Sequence, residues 1–372
     1  MFNILKIKLI RSICFQLLLG FIFCQWASAQ IVVTVAKDGS APFHTIQDAI
    51  NSLRDDGTKK IIKIKSGVYT EQIFLSKNNI SLEGDRIPIY GKSWESLKTT
   101  GQMEKAGVVI QFPIYRAIFR CSHPDDWGAA VVNIRANDIS LKNLTIANTF
   151  GFDLQQADTI DCQGKPVEVS RDGHQFALRT MPPTQRLQVK HCNFYSLGGD
   201  TVSPWDVENG TYVFTDCTME GAVDLYCPRG WAYASHIYFI CHNLNAAIWH
   251  DGSADSTAVS VIQDSKFEGD PGFKLGRFHR DAQIYLNNCH FSKEMADAEI
   301  YQVATQNLVQ WGKRIFYKNC TRSGGAYVWF SDNITRKDAR QFSRKQVLQP
   351  RWNTPVPYQN KVNHNILPNG PK

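Results

Sequence analysis

The chain has 372 residues and a formal net charge of +7 at neutral pH, with 20% of its residues charged. That length is sufficient for a large hydrophobic core. A positive excess of this size suits an acidic polymer as partner, although it is more often a property of a solvated surface. We expect no nucleic-acid partner.

Residues 1–29 have the pattern of a targeting segment. Its basic region, apolar run and cleavage site are, in order, Lys6 to Arg11, Leu17–Phe23 and Ala27-Ser28-Ala29. We therefore predict a signal peptide over residues 1–29 and one domain over residues 30–372, secreted or periplasmic. A membrane anchor is the alternative, but the apolar run is short for a span. We expect no stable membrane insertion once the segment is removed.

The mature chain is predicted to begin with a strand and a helix. Residues 31–36 are β-rich, and residues 43–53 have a helical apolar face formed by Ile46, Ala49, Ile50 and Leu53. Thr45 can cap this helix, with Asp48 three residues further on as its partner in a capping box. Further strands are predicted at residues 61–64, 67–71, 80–82 and 139–146.

A short phrase with a small central residue then recurs along the chain. Its anchors are Cys192, Cys217, Cys241, Ser265 and Cys289, with Cys320 after a longer loop. The steps between the first five anchors are 25, 24, 24 and 24 residues, and Leu144 lies 48 residues before Cys192. A fixed period of this length indicates stacked structural units.

The repeat predicts an all-β fold, a parallel β-helix in which equivalent residues stack about 4.8 Å apart. The N-terminal helix would cap its open end. Small residues suit a repeated interior position, so we expect Cys192, Cys217 and Cys241 to be free interior thiols. Cys121 and Cys162 are a possible disulfide, which export would permit.

Two aspartates have the spacing of one turn of this solenoid. Asp200 and Asp224 lie 24 residues apart, at similar distances after the anchors Cys192 and Cys217. We therefore expect them to be neighbours on adjacent turns. Two such carboxylates cannot both ionise freely, so one can donate a proton while the other acts as an anionic nucleophile. The alternative is a pair of solvated turn aspartates.

Five short motifs follow one another in a characteristic order. They are Gly67-Val68-Tyr69-Thr70-Glu71, Gln175-Phe176-Ala177-Leu178, Gly199-Asp200-Thr201-Val202, Gly221-Ala222-Val223-Asp224 and Leu275-Gly276-Arg277. In this order and spacing the chain resembles the pectin methylesterase family, as a divergent member, over nearly the whole mature region. The resemblance implies a right-handed parallel β-helix, in agreement with the repeat.

The resemblance also implies roles for four residues. Asp224 would be the nucleophile that attacks a methyl-ester carbonyl of galacturonate, and Asp200 the acid/base that protonates methanol and then activates water. Arg277 would hold Asp224 ionised through paired hydrogen bonds, and Gln175 would donate to the oxyanion. No metal or other cofactor is implied, and the sequence shows no His/Cys cluster arranged as a metal site.

The expected cleft departs from the family's pattern. Gly199 stands where the family has glutamine, which removes one oxyanion donor, and Phe278-His279 replaces the usual Pro-Trp. His279 is therefore a candidate for substrate binding. The other candidates are aromatic residues that could stack on sugar rings, although such residues more often pack: Trp231, Trp249 and Tyr226.

These observations predict an exported, monomeric esterase that removes methyl groups from pectic polysaccharide. Two alternatives stay open: an esterase for a modified or branched pectic substrate, because the cleft is altered, and a non-catalytic β-helix that binds acidic polysaccharide. The presence of both aspartates together with Arg277 argues against the second alternative.

Overall fold

The computed structural model describes residues 30–242, 244–251 and 255–352. The predicted signal peptide lies outside this part of the chain, so the division into a leader and one domain stays a prediction. Within it, successive turns of the chain stack their strands in parallel. The predicted fold class, a parallel β-helix, is confirmed.

The described part of the chain contains 26 strands. Strands β1 to β9 are Gln30–Val35, Lys59–Ile64, Gly67–Thr70, Ile73–Leu75, Ile80–Gly84, Val108–Phe112, Ala130–Ile134, Ser140–Lys142 and Leu144–Asn148. Strands β10 to β18 are Asp158–Cys162, Lys165–Val169, Phe176–Thr180, Leu187–Lys190, Asn193–Tyr195, Val202–Ser203, Thr211–Gly221, Trp231–Cys241 and Ile248–Trp249. Strands β19 to β26 are Val259–Gln263, Lys266–Gly269, Gly276–Phe278, Ala282–Asn287, His290–Phe291, Tyr301–Gln302, Lys313–Lys318 and Thr321–Arg322.

These strands form two stacked faces and one separate hairpin. Seventeen of them make a single large sheet, while β4, β7, β12 and β15 form a second sheet that continues into β18, β21 and β24. Bridges from Tyr226 to Val202 and to Ile248 connect those two groups. The segment that carries Asp224 therefore crosses the second face between β15 and β18. Strands β10 and β11 pair antiparallel outside the solenoid.

The helices are short and lie at the end and sides of the solenoid. They are α1 Ile46–Ser52, α2 Trp94–Thr99, α3 Arg116–Phe119, α4 Phe150–Asp153, α5 Arg336–Ala339 and α6 Arg344–Trp352. Three 3₁₀ turns lie at Met103–Lys105, Val328–Phe330 and Arg340–Phe342. No helix in the described residues is long and apolar enough to span a membrane.

The predicted capping helix is confirmed as α1. The Thr45 side chain accepts a hydrogen bond of 3.1 Å from the backbone N–H of Asp48. The apolar face packs into the core at the first turn of the solenoid, with Ile46, Ala49, Ile50 and Leu53 all buried. Helix α1 therefore covers apolar side chains that a further turn would otherwise cover.

The interior ladder of anchors differs from the predicted one at a single position. Leu144, Cys192 and Cys217 stack as expected, but Cys217 then pairs with Ile237, and Ser265 follows that residue. Cys241 lies beside Gly221 and Gly269 instead, so its assignment to the ladder was wrong. The two steps are 20 and 28 residues, and their mean of 24 hid the shift. Cys192, Cys217 and Cys241 are nevertheless buried free thiols, as predicted.

One corner of each turn is made by a residue with positive φ. This corner directly precedes each ladder residue, and its members are Asn143, His191, Asp216, His236, Asp264, Asn288 and Asn319. Asn, Asp and His tolerate this left-handed conformation better than other side chains with a Cβ. The Asn- and Asp-rich breaks between the β-rich runs are therefore the corners of the solenoid.

Two excursions on the outside of the solenoid are tied to neighbouring elements. Cys121, after α3, forms a disulfide with Cys162 at the end of β10, so the possible pairing is present. Near the other end, α6 packs against the large sheet, with Val347 and Leu348 in a cluster that includes Trp231. Both additions cover apolar surface on the flanks.

Candidate functional site

Asp200 and Asp224 occupy equivalent corners on adjacent turns of the second face. Both have positive φ, 57° and 56°. The backbone N–H of Asp200 donates to the carbonyl of Val223 over 3.0 Å, and that of Asp224 donates to the carbonyl of Ala246 over 2.8 Å. Their exposed fractions are only 6% and 3%. The two carboxylates thus lie at adjacent positions in a nearly closed site.

Arg277 holds the carboxylate of Asp224 through two hydrogen bonds. Its Nε donates to Oδ1 over 2.8 Å and its Nη2 donates to Oδ2 over 2.7 Å. The residue lies on β21, one turn beyond β18. Gly276 allows the close approach of these strands, because a Cβ there would lie 2.8 Å from a side-chain carbon of Ile248. The predicted paired contact is therefore present.

The charge state of Asp224 is set by opposing effects. Burial raises the pKa of this carboxyl above its usual value, the hydrogen bonds from Arg277 lower it, and the neighbouring Asp200 raises it. The bonds to Asp224 in turn raise the pKa of Arg277. Because burial favours the protonated acid, an anionic Asp224 depends on the cations around it.

Asp200 has a different environment on the solvent side. Its Oδ1 atom has no hydrogen-bond partner among the described residues. The closest cationic group is His174, whose Nε2 lies 3.8 Å from that oxygen and whose side chain is about half exposed. This carboxylate can therefore exchange a proton with a molecule in the cleft without first breaking a strong hydrogen bond at Oδ1.

The structure contradicts the oxyanion role expected for Gln175. The residue is fully buried, with an exposed fraction of 0%. Its Oε1 accepts from the backbone N–H of Gly151, and its Nε2 donates to the carbonyl of Arg171, each over 2.8 Å. A buried amide engaged at both ends cannot reach a substrate. Gln175 instead joins α4 to the loop that precedes β12.

Gly199 has no space for the side chain that it lacks. A Cβ at this position would lie 2.9 Å from the carbonyl oxygen of Val223, which is backbone and cannot give way easily. The missing glutamine therefore reflects a closer approach of two turns, and no other side-chain amide occupies its place in sequence. Both side-chain donors expected for the oxyanion are thus unavailable from positions 175 and 199.

Two of the aromatic candidates lie away from the aspartate pair. Tyr226 points into the solenoid, fully buried, and contacts the ring of Phe214 edge-on. Trp231 lies on the large sheet, where its ring is covered by Arg351 of α6 at 3.4 Å. Both substrate-binding predictions were wrong because a strand's alternation and a later helix place these rings in packed interfaces.

Trp249 and His279 lie beside the pair. Trp249 is half-buried and pairs in register with Arg277, and its ring centroid lies 5.0 Å from that of His279. The backbone N–H of His279 donates to Asp251 over 2.9 Å. Their positions suit residues that border a cleft, although Trp249 already has protein neighbours against its ring.

The sequence interpretation missed Arg229. Its guanidinium carbon lies 3.5 Å from the ring centroid of Trp249 and 4.2 Å from that of Trp205, so the cation is enclosed by two indoles. Trp205 also covers Arg179 at 4.4 Å. A cation in the altered segment between Asp224 and Gly230 was the available signal. The residue's partners could not be read from the sequence, because they come from other turns.

The described residues contain no group of three or more His, Cys, Asp or Glu side chains arranged to hold a metal ion. The chemistry available at this site is therefore that of two carboxylates, a paired guanidinium, a buried second guanidinium and a half-exposed imidazole. This set suits nucleophilic attack by a carboxylate with proton transfer by its neighbour.

A parallel β-helix with two aspartates on adjacent turns and an arginine on the next defines the class of this protein. The family model described as Pectinesterase matches residues 32–111. Pectinesterase A of Dickeya dadantii (strain 3937) is 31% identical over 129 residues, which are 34% of this chain and 30% of that protein. Pectinesterase 31 of Arabidopsis thaliana is 23% identical over 213 residues, 56% of each chain. The match to the first of these relatives thus spans less than a third of its length.

Solved structures of pectin methylesterases share the fold. A pectin methylesterase in complex with hexasaccharide VII has a TM-score of 0.65 at 19% identity, covering 87% of this chain and 98% of that one. The carrot pectin methylesterase has a TM-score of 0.64 at 17% identity, covering 85% and 92%. The resemblance to the pectinesterase family indicated by the sequence motifs is therefore confirmed.

Proposed function

We propose that this protein is an exported carbohydrate esterase that hydrolyses methyl esters of galacturonate units in pectic polysaccharide. One observation carries the proposal: Arg277 grips Asp224 through both carboxylate oxygens, while Asp200 lies on the adjacent turn. The relationship to pectinesterases supports the substrate class. Export is supported by the predicted signal peptide alone.

In the proposed reaction, an oxygen of the ionised Asp224 attacks the carbonyl carbon of the methyl ester. The tetrahedral intermediate collapses, its bond to the methoxy oxygen breaks, and Asp200 gives its proton to the departing methanol. An anhydride then links Asp224 to the galacturonate carbonyl. Asp200, now a carboxylate, removes a proton from water, which attacks that carbonyl and restores Asp224. Water is consumed, and methanol and a free carboxylate are released.

The different environments of the two aspartates support this division of roles. Asp224 is fixed by two charge-assisted hydrogen bonds, which aim it and favour its anion. Asp200 has a free oxygen that faces the more open side near His174. A nucleophile benefits from being aimed, whereas an acid/base must be able to gain and lose a proton.

The test is methanol release from highly methylated galacturonan by wild type, Asp224→Asn and Asp216→Asn. Asp224→Asn preserves shape but removes the nucleophile, so we expect methanol release to fall to background in a folded protein. Asp216 has the same left-handed conformation at a corner of the large sheet, which makes Asp216→Asn the matched control and predicts retained turnover. Equal turnover by folded Asp224→Asn and wild type would refute the mechanism.

A second reading is favoured by a specific observation, the altered cleft wall. Gly199 leaves no space for a glutamine, and Trp249 is contacted by both Arg229 and His279. An esterase of the same mechanism on a branched or modified pectic substrate would account for these changes. A protein that only binds acidic polysaccharide would not need Asp200 and Asp224 arranged with Arg277.

A further inference from the structure

Arg229 is a buried cation without a carboxylate partner. Its exposed fraction is 3%, and its Nη1 donates only to the carbonyl of Cys227, over 3.4 Å. Its Nη2 is enclosed and has no hydrogen-bond partner among the described residues. Arg179, the next guanidinium along the same wall, differs because its Nη2 lies 3.2 Å from Asp126.

The backbone around Arg229 fixes this placement. The N–H of Arg229 donates to the carbonyl of Pro204 over 2.9 Å, which joins its loop to the segment that carries Trp205. Gly230 follows with a φ of 88°, and a Cβ there would lie 2.5 Å from the carbonyl of Gly210. The loop therefore holds the guanidinium in one place between the two indoles.

A buried guanidinium is unfavourable unless other groups compensate its lost hydration. The indoles of Trp205 and Trp249 offset part of this loss through cation–π contacts on both sides. The nearby acidic groups supply the rest through space: the carboxylates of Asp251, Asp200 and Asp224 all stabilise the cation.

These carboxylates are unequally matched with other cations. Asp224 has Arg277, and Asp251 accepts from two backbone N–H groups and lies 3.8 Å from Arg280. Asp200 has only His174 at 3.8 Å. With Asp200 and Asp224 as anions, Arg277 and Arg229 as cations balance the site's charge.

Building on the proposed esterase, we infer that Arg229 is a positioning residue whose fixed, buried charge takes over electrostatic work that no amide at positions 175 and 199 can do. Its enclosed nitrogens do not touch substrate. The cation acts through the low-dielectric wall, where a charge held in place stabilises both the Asp224 anion and the negative charge that develops on the ester oxygen.

The inference predicts a change in pH dependence. The groups that act on Asp224 are Arg277 from β21, Asp200 from the preceding turn and Arg229 from its own loop. Arg229 lowers the pKa of Asp224, so its loss raises that pKa and leaves a smaller anionic fraction at a given acidic pH. The acid limb of the profile of kcat/KM therefore moves to higher pH.

The experiment compares wild type, Arg229→Met, Arg229→Lys and Arg351→Met on methylated galacturonan. For Arg229→Met we expect kcat lower by about tenfold or more, with KM changed less, and an acid limb raised by about half a pH unit or more. Arg229→Lys keeps the charge and should restore much of both. Arg351 covers Trp231 at 3.4 Å on the large sheet, so Arg351→Met removes a matched cation–π contact and should leave the profile unchanged.

A second measurement separates this inference from the proposed function. Titration of the Asp224 carboxyl carbon by nuclear magnetic resonance reports the effect of Arg229 even if wild type releases no methanol. An unchanged Asp224 titration in folded Arg229→Met overturns the inference, as does an equal loss in Arg229→Met and Arg229→Lys with an unmoved acid limb, which would indicate packing alone. Should Arg229→Met not fold, Arg229→Gln replaces it under the same criteria.

Discussion

At the scale of single residues, the site depends on two aspartates in a backbone conformation that most side chains avoid. The left-handed region costs most L-residues roughly 1–2 kcal/mol, and Asp is among the few that tolerate it. At Asp200 and Asp224 this conformation is secured by backbone bonds to neighbouring turns. The carboxylates are thereby positioned by the stacking of the solenoid and not by their own loops.

Arg277 provides a test of how much the paired geometry contributes. Arg277→Lys keeps a positive charge but replaces a planar fork with a single ammonium, so Asp224 would be less well aimed. We expect kcat/KM to fall by about a hundredfold, with an acid limb at higher pH because the pKa of Asp224 rises when its hydrogen bonds weaken.

The measurement is a pH series of initial rates on methylated galacturonan. Arg280→Lys is the matched control, since Arg280 is mostly exposed and lies 3.8 Å from Asp251, and it should behave as wild type. Wild-type kinetics in Arg277→Lys would show that a point charge is sufficient and that the paired geometry has no catalytic effect.

At the scale of elements, the motif Gly67-Val68-Tyr69-Thr70-Glu71 has a structural explanation. The carboxylate of Glu71 accepts hydrogen bonds from the backbone N–H groups of Ile46, over 2.9 Å, and Gln47, over 3.0 Å. These are N-terminal amides of α1 that have no partner inside the helix. A strand motif near one end of the chain thus anchors the helix that covers the end of the solenoid.

This contact predicts a stability effect without a change in the site. Glu71→Ala leaves two helix N–H groups without their acceptor and should lower the free energy of unfolding by about 1–2 kcal/mol. Glu299→Ala is the control, because Glu299 and its partner Lys313 are largely exposed and such pairs contribute less than about 1 kcal/mol. Urea unfolding of both variants decides, and equal small losses would contradict the anchoring role.

The shift between β16 and β17 shows how regular spacing can mislead. Cys241 was assigned to the ladder because it follows Cys217 by 24 residues, yet Ile237 occupies that place. The connection that carries Asp224 and Arg229 is short, and the next connection is longer by a compensating amount. A residue count cannot locate such a change, since strand pairing is set by contacts between turns.

At the scale of the whole molecule, the fold and the aspartate–arginine contact could be predicted because both follow from periodic spacing. Stacking converts a step of 24 residues into spatial proximity, which places Asp200 beside Asp224. The roles expected for Gln175, Tyr226 and Trp231 depended on which face each side chain occupies. Burial of Gln175 by α4 and of Trp231 by α6 requires excursions whose docking no local pattern specifies.

The wall beside the aspartates runs across several turns, from Arg179 and Trp205 through Arg229 and Trp249 to His279. Its aromatic rings are occupied by protein groups, which leaves less free ring surface for stacking on a plain sugar chain. We therefore expect weak activity on linear methylated homogalacturonan and higher kcat/KM on branched or acetylated pectic fragments. A panel of these substrates, assayed with wild type and His279→Trp, measures the preference. His279→Trp adds ring surface at the edge of the cleft and should lower KM for the linear polymer, while His290→Trp, at an exposed corner of the large sheet, should not. High activity on the linear polymer that is unaffected by His279→Trp would show that the altered wall is neutral for substrate choice.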